Sequence, residues 1–425
     1  MNHTEKRDAV VRPGTIRRVL GPFEEFVRAE ASGGIVLLVA AIVAIGWANS
    51  PFSDTYHHLW EWKLSLGWQP YYLTLSLHEW INDALMAVFF FLVGLEIKRE
   101  ILAGELASVR RAALPIMGAL GGMIVPALLF VLVTRGTPAV AGWGIPMATD
   151  IAFALGVATL LGPRVPPGLK VFLAALAIVD DIGAVLVIAI FYTAQINVAA
   201  LALAGVLVAV LILLNFLNVQ RALPYIAIGI ALWLAVLNSG LHATIAGVLL
   251  AFTIPATTRN SKPTSITKES DSSASKDALL QKFEHALHGV VAFGIMPMFA
   301  LANAGVSVGQ EFAMLVRQPA MFAVVTGLLI GKPLGITGFA WASVRLNVAQ
   351  LPSNSNWRQL IGVAALGGIG FTMSLFIAAL AYGENIELAE AKIGVLLGSL
   401  AAGILGWIVL RSGAFTVSEE STTTL

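Results

Sequence analysis

The chain has 425 residues, of which 57% are hydrophobic and only 12% charged, with a mean hydropathy of +0.82. Soluble globular domains carry about 25% charged residues, so an ordinary water-soluble fold is excluded. A formal net charge of +1 gives no electrostatic footprint for nucleic acid, and the lack of cysteine removes disulfides, thiolate metal sites and thiol catalysis.

Residues 1–32 form a polar, charged, cytoplasmic N-terminal segment with no cleavable signal peptide expected, and the first apolar run starts at Gly33. From there, recurrent apolar runs predict an all-α integral membrane protein of about twelve transmembrane helices. They fall near 33–47, 80–97, 112–133, 143–161, 171–192, 198–217, 224–237, 241–254, 287–306, 320–341, 360–382 and 393–410. One transmembrane domain is therefore expected over 33–411, with a cytoplasmic tail at 412–425. The external stretch 51–72 holds Trp60, Trp62 and Trp68. It reads either as a hairpin at the membrane interface or as an ordinary aromatic belt. Residues 255–283 are polar and rich in Ser, Thr and Lys, which predicts a flexible cytoplasmic loop.

With a cytoplasmic N-terminus, every basic residue except Lys63, Arg135, Arg317, Lys332 and Lys392 falls on the cytoplasmic side. The positive-inside rule then puts both termini in the cytoplasm.

"LAIVDDIGAVLVIAI" (Leu176–Ile190) sets Asp180 beside Asp181 in a fully apolar span, while Asp150 lies in the fourth span and Lys332 in the tenth. Each mid-span charge costs about 2.5–3.5 kcal/mol on insertion scales, against ~0.3–0.6 gained per Leu, Ile, Val or Phe. Asp83, one turn into the second span, and Glu96, at its far end, can reach an interface. A buried ion pair that only locks helices is the structural reading. Three acids against one base do not pair off, however, so some negative charge calls for a mobile cation or a proton. Neighbours on a helix point ~100° apart. One aspartate can thus face a water-filled cavity as a cation ligand while the other pairs with a base such as Lys332. Burial and like charge oppose ionising both, so the two titrate as a coupled pair. A hard oxygen site that exchanges protons suits Na⁺ or Li⁺ better than a transition metal.

The fourth span, "GIPMATDIAFALG", carries Pro146 and the pair Thr149–Asp150; the eleventh, "ALGGIGFTMS", carries Gly367, Gly368 and Gly370. Both are expected to be interrupted, since Pro and Gly free backbone groups that are tolerated where they line a cavity. Asp150 suits exposed helix N-termini and Lys332 exposed carbonyl ends. "GVLLG" (Gly394–Gly398) reads as close helix packing. No GxGD block or P-loop occurs, and "HEWIN" from His78 departs from HExxH, which removes the intramembrane aspartyl protease, primary pump and zinc protease readings. A cation channel or a proton-coupled symporter stays as the alternative to exchange.

Six blocks carry a family resemblance: "WINDALMAVFFFLVGLEIKRE" (Trp80–Glu100), "MATDIAFALGV" (Met147–Val157), "AIVDDIGAV" (Ala177–Val185), "LHATIAGV" (Leu241–Val248), "MPMFALANAGV" (Met296–Val306) and "GIGFTMSLFIA" (Gly368–Ala378). Over about 23–410 the chain resembles the NhaA-type sodium/proton antiporters. The resemblance implies inverted-topology repeats with the fourth and eleventh helices interrupted. It implies pH-regulated, electrogenic export of Na⁺ or Li⁺ for more than one proton, without a cofactor, by a homodimer in the bacterial inner membrane. By the same resemblance Asp181 is the main cation ligand and Asp180 the acid beside it. Thr149 and Asp150 form the polar pair at the break, and Lys332 pairs with Asp180. Asp83 belongs to the cation access region. Glu96, Arg99, Glu100, Glu284, His285 and His288 form a cytoplasmic cluster linked to pH activation. The chain departs from the pattern at Gln281, where a second basic residue is expected before Lys282, and in the length of the 255–283 segment.

Overall fold

The computed structural model describes residues 32–68, 71–193, 196–256, 278–306, 317–383 and 385–412. The N-terminal segment, most of the 255–283 segment and all but the first residue of the tail lie outside them.

The long apolar runs fold as helices. Seven are long and apolar enough to cross a membrane: α3 (Leu77–Ala103), α4 (Val109–Thr134), α6 (Pro167–Phe191), α7 (Val198–Phe216), α10 (Leu279–Asn303), α11 (Pro319–Arg345) and α14 (Ile386–Arg411). α1 (Ser32–Ala48) turns by 113° into α2 (Ser53–Glu61). Two further spans are broken. Short 3₁₀ turns at Pro138–Met147 meet α5 (Ile151–Leu160) at 46°, and α12 (Trp357–Leu366) meets α13 (Phe371–Tyr382) at 47°. α8 (Ala222–Leu237) is an apolar helix of 16 residues and α9 (Ile245–Thr253) one of 9. Together these segments follow the twelve predicted runs, with the breaks in the fourth and eleventh.

α9 has only nine residues and cannot cross alone. Its C-terminal carbonyls are satisfied by neighbours: Lys98 Nζ donates to Phe252 O (2.7 Å) and to Ile254 O, and Asn215 Nδ2 donates to Thr253 O (2.6 Å). A helix end inside a membrane needs such partners because hydrocarbon offers none.

Three boundaries differ from expectation, each for a local reason. A β-hairpin, Lys63–Trp68 paired with Tyr71–Ser76, starts inside the stretch read as 51–72 and ends beyond it. α3 then begins at Leu77, because Ser76 and Glu79 form a capping box ahead of the apolar run. α10 begins at Leu279, inside the segment read as a loop. "LLQKFEHALHGV" buries Leu279, Leu280 and Glu284 while exposing Lys282 and His285, the mark of an amphipathic turn entering a bundle.

α4 lies along α11, α3 along α9, and α14 along both α11 and α12. Large apolar side chains such as Leu132, Ile190 and Phe216 are exposed on outward faces, as a lipid-facing surface requires. At the α4–α11 crossing, Gly121 and Gly335 put their backbones in contact: a Cβ on Gly121 would sit 2.1 Å from Gly335 O. Gly121→Leu is therefore expected to abolish a monodisperse folded protein in fluorescence-detected size exclusion. Gly205→Leu on α7, with open space around it, leaves the elution peak unchanged.

Candidate ion-binding site

The two breaks meet at the centre of the bundle. Pro146 sits in a 3₁₀ turn, after which Ala148 and Asp150 take extended backbone angles and α5 starts afresh. In the other span the chain leaves α12 at Gly367, and Gly368 passes so close to Leu328 O that a Cβ there would lie 2.3 Å away. Only glycine permits that approach.

Hydrogen bonds lace the broken spans together. Asp150 N donates to Ile369 O (2.7 Å), Ser374 Oγ to Ile145 O (2.7 Å) and Tyr382 OH to Ala139 O (2.6 Å). Asp150 caps two helices at once. Its Oδ1 accepts from Phe153 N (3.2 Å) at the start of α5, and its Oδ2 accepts from Thr372 N (3.1 Å) and Thr372 Oγ1 at the start of α13. The carboxylate thus faces two helix N-termini, as the expectation for exposed N-terminal ends requires.

Asp180 and Asp181 lie in the unbroken α6, and their side chains diverge. Asp180 is fully buried and ion-paired with Lys332, itself fully buried on α11. Lys332 Nζ also donates to Thr149 Oγ1 (2.9 Å). Lys332 was expected to suit helix carbonyl ends and, by the resemblance, to pair with Asp180. Its ammonium meets the Asp180 carboxylate and the Thr149 hydroxyl, and it is the hydroxyl that lies at the carbonyl end. The single Thr149 proton goes either to Asp180 Oδ2 or to Gly367 O, each 2.8 Å away. Lys332 is positioned by a wide π-helical turn, Gly327–Gly331, immediately ahead of it. Such turns recur at functional sites.

Asp181 lines a cavity of about 50 Å³, together with Thr149, Asp150, Thr372, Glu96 and His288. That volume admits a few water-sized particles. Asp181 Oδ1 is buried and has no hydrogen-bond partner among the described residues. Apart from the His288 imidazole, the side-chain donors around the cavity are carboxylate and hydroxyl oxygens, which suit a hard cation. No group of three His, Asp or Glu side chains converges as a metal site among the described residues.

The other candidate residues divide. Glu96 and His288 stand on the cavity wall towards the end of the bundle that carries Arg99. There Arg99 is ion-paired with Glu284 and lies 3.4 Å from Glu100 Oε1. His285 is exposed, and its Nδ1 is 3.1 Å from Gln281 O on its own helix. Asp83 is not brought to the cavity. It lies near the hairpin end of α3, ~20 Å along the helix from Glu96, and its carbonyl accepts from Trp233 Nε1 (3.1 Å). Ser374, Tyr382 and Ser399 escaped the sequence reading. Their only signal is a hydroxyl in an apolar span, which is also what a helix-packing residue looks like.

Broken helices that meet at buried charges inside a bundle of membrane spans define an ion-coupled membrane transporter. A family model described as Na+/H+ antiporter 1 matches residues 24–410. The chain is 47% identical to the Na(+)/H(+) antiporter NhaA of Oleidesulfovibrio alaskensis over 97% of its length and 98% of that protein. It is 48% identical to the Na(+)/H(+) antiporter NhaA of Rhodospirillum rubrum over 91% and 96%, respectively. Among solved structures, the sodium proton antiporter MjNhaP1 from Methanocaldococcus jannaschii gives a TM-score of 0.47 at 12% identity, covering 93% of this chain and 99% of that one, a likeness on which nothing here depends. The chain belongs to the Na+/H+ antiporter 1 family: it is a sodium/proton antiporter of the membrane, a transporter and not an enzyme.

Asp150→Ala leaves the buried N–H groups of Phe153 and Thr372 without acceptors, which costs about 1–3 kcal/mol each. Thermal unfolding in detergent is expected to show a lower Tm for Asp150→Ala, with Asp150→Asn recovering only part of it, because its single amide oxygen caps one helix end and its NH2 group cannot accept from the other.

Proposed function

We propose that this antiporter exports Na⁺ or Li⁺ by letting the cation and protons compete for Asp180 and Asp181. The observation that carries the reading is the divergence of the pair. Asp181 turns an unpartnered buried oxygen toward the cavity, whereas Asp180 is held by Lys332 and Thr149. Asp181 is the main cation ligand, and Asp180 and the Thr149 hydroxyl join it when the Lys332 ion pair opens. Asp150 is an electrostatic partner, fixing the two half-helix ends that face the site.

Competition supplies the exchange. A proton on the pair removes the charge that holds the cation, and a bound cation disfavours protonation, so each turnover trades one for the other. Exchange is electrogenic, with more than one proton per Na⁺, and the second proton rides on Asp180 or on Lys332. Glu96, Arg99, Glu100, Glu284, His285 and His288 tune the response to pH at the cytoplasmic mouth, where Glu96 and His288 share the cavity wall. The chain works in the bacterial inner membrane as a single transporter domain with both termini cytoplasmic. Two copies pair through the exposed edges of the hairpin, since an unpaired strand is a template for another. Asp83 serves the opposite, external end of the cation route.

In proteoliposomes with an imposed ΔpH, Na⁺ and Li⁺ are expected to collapse the gradient and K⁺ to leave it, with Asp181→Asn silent. A K⁺ response equal to that of Na⁺, or wild-type transport by Asp181→Asn, would sink the reading. Na⁺ flux without coupled proton movement favours a cation channel, and a dependence on organic solutes a symporter. The apparent KM for Na⁺ rises as pH falls, by ~tenfold per pH unit for one competing proton once the site is mostly protonated. Reversal-potential measurements on Lys332→Gln separate the carriers of the second proton. Electroneutral exchange assigns it to Lys332, and retained electrogenicity assigns it to Asp180.

A further inference from the structure

The start of α13 presents three successive backbone N–H groups, at Gly370, Phe371 and Thr372. Asp150 accepts only the last of them. The other two converge on one oxygen of another helix: Ser399 Oγ accepts from Gly370 N (3.2 Å) and from Phe371 N (3.1 Å). Ser399 is buried on α14, and nothing in the transport reaction itself uses it. Its neighbour Gly398 packs against Leu328, in the wide turn that precedes Lys332. A single point on α14 therefore holds the half-helix end that faces Asp150 and also touches the turn that positions Lys332.

We propose that Ser399 is a positioning residue for cation binding: by taking the first two N–H groups of α13, it leaves Asp150 free to keep its carboxylate shared between α5, α13 and the cavity. The inference rests on the Asp180–Asp181 site proposed above. Removing the hydroxyl orphans two buried donors, and the nearest anionic acceptor is Asp150 Oδ2, already bonded to the adjacent Thr372 N–H. The freed N–H groups draw that carboxylate toward α13 and neutralise part of its charge. The field at the cavity beside Asp181 becomes less negative, and the cation binds less tightly. The effect falls on affinity, since no group that carries a proton or a cation is lost.

The test is Na⁺-driven proton flux in proteoliposomes for wild type, Ser399→Ala, Ser399→Cys and Ser399→Thr, normalised to reconstituted protein, with Asp181→Asn as the reference for the site. Ser399→Ala is expected to raise the KM for Na⁺ by roughly tenfold, the size carried by a lost buried hydrogen bond, with Vmax per transporter unchanged. Ser399→Cys, a weak acceptor, falls between, and Ser399→Thr, which keeps the hydroxyl, returns KM to the wild-type value. A purely structural role lowers the amount of folded protein or Vmax and leaves KM where it was. Should Ser399→Ala fail to insert, Ser399→Cys decides alone, and a wild-type KM in it overturns the inference. A wild-type KM beside a silent Asp181→Asn discards the role of Ser399 and leaves the aspartate site standing. Transport by Asp181→Asn discards the site and this inference with it.

Discussion

A carboxylate inside a bilayer has to find compensation within hydrogen-bonding reach, because hydrocarbon gives it no solvent. This protein carries three such acids and compensates each differently. Asp180 has an ammonium and a hydroxyl, and Asp150 has two helix N-termini. Asp181 keeps one buried oxygen turned to a cavity. The rest of the central architecture follows from these needs. The helices break in order to expose N–H ends, and glycine at 368 lets a backbone pass against Leu328. Pro146 and the extended residues after it open the partner span.

The Asp180–Lys332 pair shows why such a site can do work. A buried ion pair gains much of its Coulomb attraction at the expense of desolvating both ions, so its net stabilisation is small, whereas stripping it of one partner costs about 3–5 kcal/mol. The pair is thus cheap to exchange for an equivalent arrangement of charge and expensive to leave half-made. In the proposed cycle a cation or a proton provides that equivalent arrangement. The Thr149 hydroxyl, with one proton and two acceptors at the same 2.8 Å, can follow the change without leaving its place.

Broken spans also differ mechanically from continuous ones. A continuous helix satisfies its backbone internally, and its parts cannot shift without losing several bonds together. Here a few identifiable bonds join the halves: Asp150 N to Ile369 O, Ser374 to Ile145 O, Tyr382 to Ala139 O, and the two N–H groups on Ser399. Of the membrane charges, Asp150 is the one that sits in these broken spans, so its surroundings are the ones whose geometry rests on such bonds. Such geometry responds to charge more readily than the α-helical ladder around it.

Much of this was legible in the chain. Hydropathy gave the spans, and Pro146 with the Gly367–Gly370 cluster marked both breaks. The cost of membrane charge singled out Asp150, Asp180, Asp181 and Lys332 without any geometry. Asp83 was given to the cation access region by resemblance alone, and it lies outside the cavity lining, near the hairpin end of α3. Ser374, Tyr382 and Ser399 could not be found, since a lone hydroxyl in an apolar helix is equally at home bonding its own backbone. For Lys332, charge sign by itself left carbonyl ends and either aspartate as partners, and only the resemblance named Asp180.

Sequence by itself determined the medium, the number and order of spans, the places where helices fail and the residues whose charge must be compensated. All of these follow from local composition and from the free energy of moving single groups into hydrocarbon. Which acid pairs with Lys332, which one turns to the cavity and which hydroxyls hold the half-helix ends were decided only by tertiary structure. Those choices depend on distances between residues 28 to 243 positions apart, on different elements, and hydrogen bonds and ion pairs are decided within an ångström or so.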